Sequence, residues 1–246
     1  MIRVDSLSKH FRDSKRGVVR AVDGVSFEAH PGEVFGLLGV NGAGKTTLLR
    51  LLSTVLSPTS GTAAVAGADI VREPERVRRN IGFMSTTTAL YTRLTAREMI
   101  AYMGALYGLS GQELGRRVAE VIDLLDIHEF ADRLCDKLST GQRQRVSLAR
   151  TILHDPPVLF FDEPTAGLDV IAGQTIMGFI ERQRDVGKTV LFSTHVMSEA
   201  ERLCDRICVV HAGRVAAIGT MEELRERTGK RALEEVFLAL VEGVAA

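Results

Sequence analysis

The stretch that decides the fold reads Gly39-Val40-Asn41-Gly42-Ala43-Gly44-Lys45-Thr46-Thr47 and directly follows the apolar run Val34–Leu38. A glycine-rich turn between a buried strand and a helix points successive backbone N–H groups at one spot, where the helix dipole adds partial positive charge. Lys45 supplies a point charge for the β and γ phosphates of a nucleotide, and the Thr46 hydroxyl is a ligand for the accompanying Mg²⁺. The alternative is a glycine-rich turn that binds nothing, but the flanking strand and helix favour a phosphate-binding loop.

The charge balance gives no reason to expect nucleic-acid binding. The 246 residues include 31 Lys and Arg against 31 Asp and Glu, and the pI is near 7.0. Zero formal net charge offers no long-range attraction for nucleic acid or anionic lipid. Because no internal repeat, low-complexity tract or long linker interrupts the chain, we expect one domain over residues 1–246.

The pattern of apolar residues predicts a cytosolic protein. No apolar run approaches the roughly 18 to 20 residues that span a bilayer, and the start Met1–Asp5 lacks the apolar stretch of a signal peptide. Three cysteines are an odd number, so a disulfide framework is not expected. Cys204, Cys208 and His211 have a spacing that suggests a metal, but no fourth ligand is apparent and packed, inert thiols are favoured.

Along the first two thirds of the chain, the apolar pattern changes from one typical of strands to one typical of helices. A helix from about Lys45 to Ser53 follows the glycine-rich loop, and a strand pair is predicted near 61–66 and 79–84. From about 95 to 154 the apolar residues recur mainly at helical spacing, which indicates an inserted helical subdomain over about 90–156. The earlier β-rich segments lie around 2–6, 19–28 and 33–38.

Continuous apolar strands return later in the chain. They are separated by helix-length segments near 170–185 and 197–204. Such an alternation indicates a parallel sheet covered on both faces, and therefore an α/β fold with a helical insertion. These strands are Val158–Phe161, Thr189–Phe192 and Ile207–Val210.

The first of these strands ends in two acids, Asp162 and Glu163. A buried strand places Asp162 at the sheet edge where α/β ligands bind, beside a Mg²⁺ held by Thr46. Glu163 lies one residue nearer the γ-phosphate and is the candidate general base for the attacking water. An Asp-Glu pair after a strand is often only a solvated turn, but the phosphate loop favours the catalytic interpretation.

A further motif, Leu138-Ser139-Thr140-Gly141-Gln142, stands immediately before a helical stretch. Its simplest interpretation is a helix N-cap, in which Ser139 or Thr140 satisfies free N–H groups. An N-cap accounts for the serine but not for the complete motif Leu138–Gln142.

Taken together, these stretches resemble the ATP-binding subunit of an ABC transporter. The resemblance rests on residues 39–47, Leu138–Gln142, Asp162-Glu163, Pro164–Asp169 and Ser193-Thr194-His195, in this order along essentially the whole chain. It implies a P-loop NTPase core with a mainly parallel sheet, an antiparallel β subdomain and the inserted helical subdomain. It also implies ATP and Mg²⁺ as cofactors and ATP hydrolysis as the activity.

The resemblance also assigns roles to single residues. His195 is the switch histidine that senses the γ-phosphate, although a satisfied histidine at a strand end is the alternative. Phe11 matches the position whose ring stacks on adenine, and core packing is its alternative. Residues 166–169 match the D-loop. The residues expected to contact nucleotide from the signature motif and D-loop are Ser139, Gly141, Gln142 and Asp169.

The partners expected from the resemblance are of two kinds. Two ATPase chains pair head to tail, so that each ATP lies between the phosphate loop of one and the signature motif of the other. Separate transmembrane permease subunits dock near Thr86 and the helical insertion. The chain is then expected to lie peripherally on the cytoplasmic face of the cell membrane.

One position departs from the pattern of most relatives. Thr86 occupies the place of a glutamine that contacts Mg²⁺ and the attacking water, and a threonine reaches Mg²⁺ only through water. This loss, with Leu-Tyr and Arg-Leu-Thr following, resembles the sodium-extruding branch of ABC exporters. The tail Leu233–Leu240 is similar to that of the same branch and of related drug exporters.

The tail over about 228–243 is predicted to be an amphipathic helix. Leu233, Val236, Phe237, Leu240 and Val241 recur at helical spacing, so that one face is apolar. Packing on its own domain is favoured over packing on a partner.

The function predicted is that of the ATPase subunit of an ABC exporter, with sodium as the first candidate cargo. Drugs, antibiotics and lipids are the rival cargoes. Rivals from other classes are a soluble ABC-type ATPase of DNA repair, translation or cofactor assembly, and a regulatory module that hardly hydrolyses ATP.

Overall fold

The structure is a computed structural model that describes residues 1–14, 17–85 and 89–245. The elements before the helical insertion are β1 (Ile2–Asp13), β2 (Gly17–Ala29), β3 (Val34–Leu38), α1 (Lys45–Leu52), β4 (Ser60–Val65), β5 (Ala68–Asp69), α2 (Pro74–Arg79) and β6 (Ile81–Ser85). Those that follow are α3 (Ala96–Leu106), α4 (Gly111–Leu124), α5 (Thr140–Ile152), β7 (Val158–Asp162), α6 (Val170–Asp185), β8 (Thr189–Thr194), α7 (Met197–Leu203), β9 (Arg206–His211), β10 (Arg214–Gly219), α8 (Met221–Thr228) and α9 (Leu233–Ala245).

These elements divide between two units. The first unit contains Met1–Ile81, Pro157–Glu163 and the chain from Met177 onward, and the second contains Gly82–Pro156 and Pro164–Ile176. The glycine-rich loop and the strand that ends in Asp162 both belong to the first unit. The motif at Leu138–Gln142 belongs to the second.

The N-terminal strands form an antiparallel sheet in the first unit, in the order β2–β1–β4–β5. Buried Ile2 and Val4 alternate with exposed Arg3 and Asp5, as expected for a strand with one face on a core. The alternation shifts at Ser6, whose φ of 49° accompanies a break in register between Val4 and Leu7.

A second sheet in the first unit is mainly parallel. β9, β3, β8 and β7 lie side by side in that order and run parallel, and β10 pairs antiparallel with β9. Every residue of β3, β7 and β8 is buried, because helices cover a parallel sheet on both faces. The prediction of an α/β fold with a mainly parallel sheet and an antiparallel β part is confirmed.

Both strands predicted near 61–66 and 79–84 exist, but the prediction that they pair with each other is wrong. The first strand is β4, which pairs with β1 and β5. The second is β6, which is not a member of that four-stranded sheet and is preceded by α2. The apolar pattern identified both strands, but it carries no information about which neighbour each strand takes.

The second unit contains α3, α4 and α5, within the stretch where an inserted helical subdomain is expected. Thr95 caps α3 with a reciprocal pair of hydrogen bonds to Glu98, which satisfies free N–H groups at the helix start. Short 3₁₀ turns at His128–Phe130 and Cys135–Lys137 connect α4 to α5.

The C-terminal helix α9 packs on its own unit. Leu233, Val236, Phe237 and Leu240 are buried together with core residues of β9, as the amphipathic pattern predicts. The preceding β10 and α8 were not predicted from the sequence. α8 has few apolar residues, whereas β10 is a short strand whose four central residues are apolar. Across the part of the chain that the structure describes, no helix combines the length and the apolarity needed to cross a bilayer.

The packing of α9 predicts that alanine substitutions at two neighbouring residues differ sharply in their effect on stability. Phe237 is 5% exposed and Leu238 is 57% exposed. Phe237→Ala should lower the free energy of unfolding by about 3 to 5 kcal/mol, because it leaves a cavity in the core. Leu238→Ala should change it by less than about 0.5 kcal/mol. Urea denaturation measures both, and equal effects would contradict this placement of the helix.

Candidate active site

The glycine-rich loop connects the buried end of β3 to the first residue of α1. Its last glycine, Gly44, is the N-cap of α1 with φ of 111°, and a Cβ there would lie 2.3 Å from the carbonyl oxygen of Ala21. Only glycine fits this conformation and this close approach. Because Gly44 has no side chain with which to cap the helix, the N–H groups of the first turn are left for an anion.

The loop surrounds a cavity of about 160 Å³ in the first unit. Most of the predicted phosphate-binding residues line it, together with the predicted base, Glu163. Gly39, Val40 and Phe11 are not among the lining residues. Ala21 is, although nothing in its sequence context marks it. The complete lining consists of Ala21, Asn41, Gly42, Ala43, Gly44, Lys45, Thr46, Thr47 and Glu163.

Lys45 is 4% exposed, so its ammonium group needs partners. Its Nζ donates to the carbonyl oxygens of Gly39 at 2.7 Å and Val40 at 3.3 Å. It also lies 3.4 Å from Oε1 of Glu163. Gly39 and Val40 thus hold the ammonium group of Lys45 through their carbonyl oxygens. Phosphate oxygens that bind Lys45 must compete with these contacts.

Thr46 and Asp162 meet beside the loop. The Thr46 hydroxyl donates to Oδ1 of Asp162 at 3.0 Å, and the Ser193 hydroxyl donates to the same oxygen at 2.8 Å. Asp162 is 2% exposed at the end of β7. Hydroxyl and carboxylate oxygens are the ligand types that Mg²⁺ prefers, and Mg²⁺ at nucleotide sites needs only one or two of them besides phosphate and water. These two residues therefore fit a Mg²⁺ ion.

Glu163 is held in a strained conformation. Its φ is 50°, which is uncommon for a residue with a side chain and costs about 1 to 2 kcal/mol. Its N–H donates both to the Ser193 carbonyl at 3.1 Å and to the Ser193 hydroxyl at 3.2 Å. Ser193 thus contacts Asp162 and Glu163 at once. Ser193 belongs to the motif Ser193-Thr194-His195, but the motif alone does not predict these two contacts.

His195 lies against the same carboxylate. Its Nδ1 is 3.2 Å from Oε2 of Glu163, while Oε1 faces Lys45. The imidazole is partly exposed just past the end of β8, so it is in contact with solvent as well as with the base. The predicted γ-phosphate sensor and the predicted base therefore touch.

Phe11 lies on β1 with 39% of its surface exposed, which excludes the core-packing alternative. Lys9 Nζ is 5.3 Å from the ring centroid. Phe11 pairs with Val19 of β2, two residues from Ala21 in the cavity lining. Ala21 itself has no partner among the described residues of β1, because the register shifts between Lys9 and His10. Stacking of Phe11 on adenine remains a prediction.

The motif at Leu138–Gln142 begins α5 in the second unit. The Ser139 hydroxyl accepts from the Gln142 N–H at 3.2 Å, and the Gln142 side chain accepts from the Ser139 N–H at 3.0 Å. This capping box explains Gln142 as well as Ser139. The Ser139 hydroxyl keeps its own hydrogen to donate elsewhere.

A cavity of about 450 Å³ lies beside this helix start, within the second unit. A Cβ on Gly141 would meet only Ala172 Cβ, at 3.7 Å, so packing within the chain does not require a glycine there. Asp169 Oδ1 accepts from the Ala172 N–H at 2.9 Å, and Val170 and Ile171 are strongly exposed. The lining contains the predicted Ser139, Gly141, Gln142 and Asp169, with Asp126, Glu129, Phe130, Arg145, Ile171 and Ala172.

Comparison with known sequences decides the family. A model of the family described as ABC transporter matches residues 22–166. The chain is 39% identical to the ABC transporter ATP-binding protein NatA of Bacillus subtilis (strain 168), and the match covers 100% of both chains. The chain belongs to the ABC transporter family. It is also 41% identical to the daunorubicin/doxorubicin resistance ATP-binding protein DrrA of Streptomyces peucetius, over 87% of this chain and 65% of that protein.

Solved structures of the ABC transporter family have the same fold. An ATP binding subunit of an ABC transporter superposes with a TM-score of 0.87 at 30% identity, covering 98% of this chain and 99% of that one. A dimeric bacterial ABC transporter cassette gives a TM-score of 0.81 at 28% identity, covering 89% of this chain and 98% of the other. A dimeric post-hydrolysis state bound to ADP and Pi gives 0.81 at 27% identity, with the same coverage.

Thr86 and two cysteines were also singled out in the sequence. Thr86, at the position of the family's glutamine, lies outside the described residues. Cys204 and Cys208 are free thiols, and burial raises the pKa of both, that of Cys208 to about 12. Both thiols therefore stay protonated and unreactive near neutral pH.

The contacts of Lys45 predict the effect of removing its charge. Lys45→Ala should weaken the binding of a non-hydrolysable ATP analogue by about 10- to 100-fold, because a charge-assisted phosphate contact is worth about 1.5 to 3 kcal/mol. Lys230→Ala, which removes an exposed lysine, is the control. Titration calorimetry measures both affinities, and unchanged binding by Lys45→Ala would rule out the loop as the phosphate site.

Proposed function

We propose that this chain binds Mg-ATP at the glycine-rich loop and hydrolyses it, as the nucleotide-binding subunit of an ABC exporter. The observation that carries the proposal is a set of contacts beside one cavity. Lys45, Thr46 and Glu163 line the cavity, Asp162 contacts Thr46, and His195 contacts Glu163. These side chains supply a phosphate-binding cation, two oxygen ligands for a metal, a base and a polar sensor.

Each of these groups has a distinct task in the proposed reaction. Lys45 and the N–H groups at the start of α1 bind the phosphates. Thr46 and Asp162 would hold Mg²⁺, which would supply positive charge to stabilise the phosphate groups. Glu163 accepts a proton from the attacking water. His195, already against Glu163, donates a hydrogen bond to the γ-phosphate.

The ion pair between Lys45 and Glu163 connects the phosphate-binding lysine with the proposed base. Lys45 Nζ lies 3.4 Å from Oε1 of Glu163. When Lys45 binds phosphate oxygens, Glu163 loses this partner, and its carboxylate becomes free to contact the attacking water.

The second cavity supports a head-to-tail homodimer. Gly141 is not required by its own chain, the Ser139 hydroxyl retains a hydrogen to donate, and exposed Val170 and Ile171 follow Asp169. We propose that this surface covers the ATP held by the loop of a second copy. The dimeric state of the related bacterial cassette supports this arrangement.

Exposed aromatic and aliphatic groups of the second unit suit a membrane subunit. Tyr91 and Tyr102 form an edge-to-face pair with ring centroids 5.6 Å apart, and both are exposed, as is Leu106 on the same helix as Tyr102. Tyr91 follows Thr86 closely in the chain. We propose transmembrane permease subunits as the partners here, with the chain on the cytoplasmic face of the membrane.

We propose sodium as the cargo, because the sequence around Thr86 resembles that of the sodium-extruding branch of ABC exporters, and because the match to the ATP-binding protein NatA covers both chains in full. An antibiotic or drug is the second candidate, because identity to the daunorubicin/doxorubicin resistance protein is equally high. Lipid export and a non-transport ABC ATPase remain the alternatives predicted from the sequence.

Replacing the base separates binding from chemistry. Glu163→Gln should retain ATP binding, lower the hydrolysis rate by about 100-fold or more, and accumulate an ATP-bound dimer, because general-base catalysis contributes roughly 10²- to 10⁴-fold. Phosphate release and sedimentation velocity measure the two effects. Glu181→Gln, at a carboxylate outside the cavity that pairs with Arg202, is the control. Normal hydrolysis by Glu163→Gln would refute the assignment of the base.

The head-to-tail arrangement predicts complementation between two defective chains. In a Glu163→Gln background, neither Lys45→Ala nor Gly141→Glu should form an ATP-dependent dimer alone. A mixture of the two should form one, because the mixed pair has one site with an intact loop and an intact signature motif. Sedimentation velocity with differently labelled chains detects the mixed dimer. Its absence, with each chain folded, would contradict the arrangement.

A further inference from the structure

The turn between β9 and β10 is held in an unusual conformation. Its two residues, Ala212 and Gly213, have φ values of 46° and 81°, and the flanking His211 and Arg214 pair across the hairpin. A two-residue turn of this kind is favoured in hairpins, but alanine is strained in the left-handed region. The strain is balanced by contacts that the turn makes elsewhere in the first unit.

Gly213 joins two other segments through its backbone. Its N–H donates to the carbonyl oxygen of Ala43 at 2.9 Å, and its carbonyl accepts from the Asp23 N–H at 2.8 Å. Ala43 belongs to the glycine-rich loop and Asp23 belongs to β2. The turn therefore links the phosphate loop to the antiparallel sheet.

The bond to Ala43 also determines where a neighbouring N–H points. A peptide bond is planar and trans, so the carbonyl of Ala43 and the N–H of Gly44 point in opposite directions. The carbonyl is directed to Gly213, and the N–H is directed away from it. Both residues line the cavity around the loop, so Gly213 orients a donor that is available to phosphate.

The backbones of Gly213, Gly44 and β2 lie so close together that neither glycine has room for a side chain. A Cβ on Gly213 would lie 2.8 Å from the Arg20 carbonyl oxygen and 3.1 Å from that of Ala21. A Cβ on Gly44 would lie 2.3 Å from the same Ala21 oxygen. Any side chain at Gly213 must push the turn away from β2 and draw the Ala43 carbonyl with it.

An ion pair between Arg214 and Asp23 connects the end of the turn to β2. Nε and Nη2 of Arg214 both donate to Oδ2 of Asp23, at 3.0 Å and 2.7 Å, and this contact is the main cause of the lowered pKa of Asp23. Arg20 Nη1 and His10 Nε2 face the same carboxylate at 3.6 Å. None of these four side chains is among those that line the cavity.

We propose that the β9–β10 turn positions the phosphate loop, with Gly213 orienting the Ala43–Gly44 peptide and the Arg214–Asp23 pair holding Gly213 in place. The affinity for nucleotide phosphates then depends on residues that do not touch the nucleotide. The proposal rests on the proposed function of the loop as the ATP site.

A pair of glycine variants tests the turn. Gly229 ends α8 with φ of 69°, and a Cβ there meets nothing within 4 Å. Gly213→Ala and Gly229→Ala should both lower stability towards urea. Only Gly213→Ala should raise the Kd of a non-hydrolysable ATP analogue in the presence of Mg²⁺, by about tenfold, which corresponds to one hydrogen bond to a charged group. An unchanged Kd in folded Gly213→Ala would overturn the proposal.

Arginine variants test the ion pair without changing the backbone. Arg214→Gln should raise the same Kd about threefold, as expected for an exposed pair, and Arg214→Lys should recover part of the loss. Arg225→Gln is the matched control, because Arg225 makes a 2.9 Å bond to Glu201 away from the loop. If Arg214→Gln and Arg225→Gln bind the analogue equally well, the ion pair is only structural. Absence of binding by the unmodified chain would instead refute the proposed function itself.

Discussion

The hydroxyl of Ser193 is the contact on which the rest of the candidate site depends. It donates to the carboxylate of Asp162 and accepts from the N–H of Glu163, so one buried side chain fixes the proposed metal ligand and the proposed base. The contact exists because β7 and β8 run parallel with Asp162 opposite Ser193. Leu38 pairs with Thr194 on the other side of β8, which brings the start of the phosphate loop to the same sheet edge. The chemistry is therefore assembled by strand register.

The same contacts explain why strain is tolerated at Glu163. A residue with a side chain and φ of 50° persists only where its neighbours hold it. The two acceptors on Ser193 and the cations of Lys45 and, when protonated, His195 do so from opposite ends of the residue. The carboxylate is directed between them into the cavity. The cost in backbone energy is offset by a fixed orientation of the group that must receive a proton.

The sequence predicted the loop, the acids and the α/β fold because each depends on a short local pattern. Residues 39–47 need only their own glycines and the apolar strand before them, and Asp162 needs only the strand that it ends. Ser193 and Ala21 carried no such signal, since their roles arise from neighbours far along the chain. The pair of Asp23 and Arg214 spans 191 positions, and no local pattern reports it. For the same reason the partners of β4 and β6 were misjudged.

The central strand of the parallel sheet has consequences for how the chain is made. β3 is complete by Leu38, but its two neighbours are β8 and β9, which are the last parallel strands of that sheet to be synthesised. Until those segments have left the ribosome, the apolar strand that leads into the phosphate loop has no partner on either side. Contacts of such long sequence separation form slowly and leave strand edges open meanwhile. The nucleotide cavity therefore forms late in folding. A nascent chain that stops after α5 contains the whole loop sequence but lacks the neighbouring strands that shape the loop.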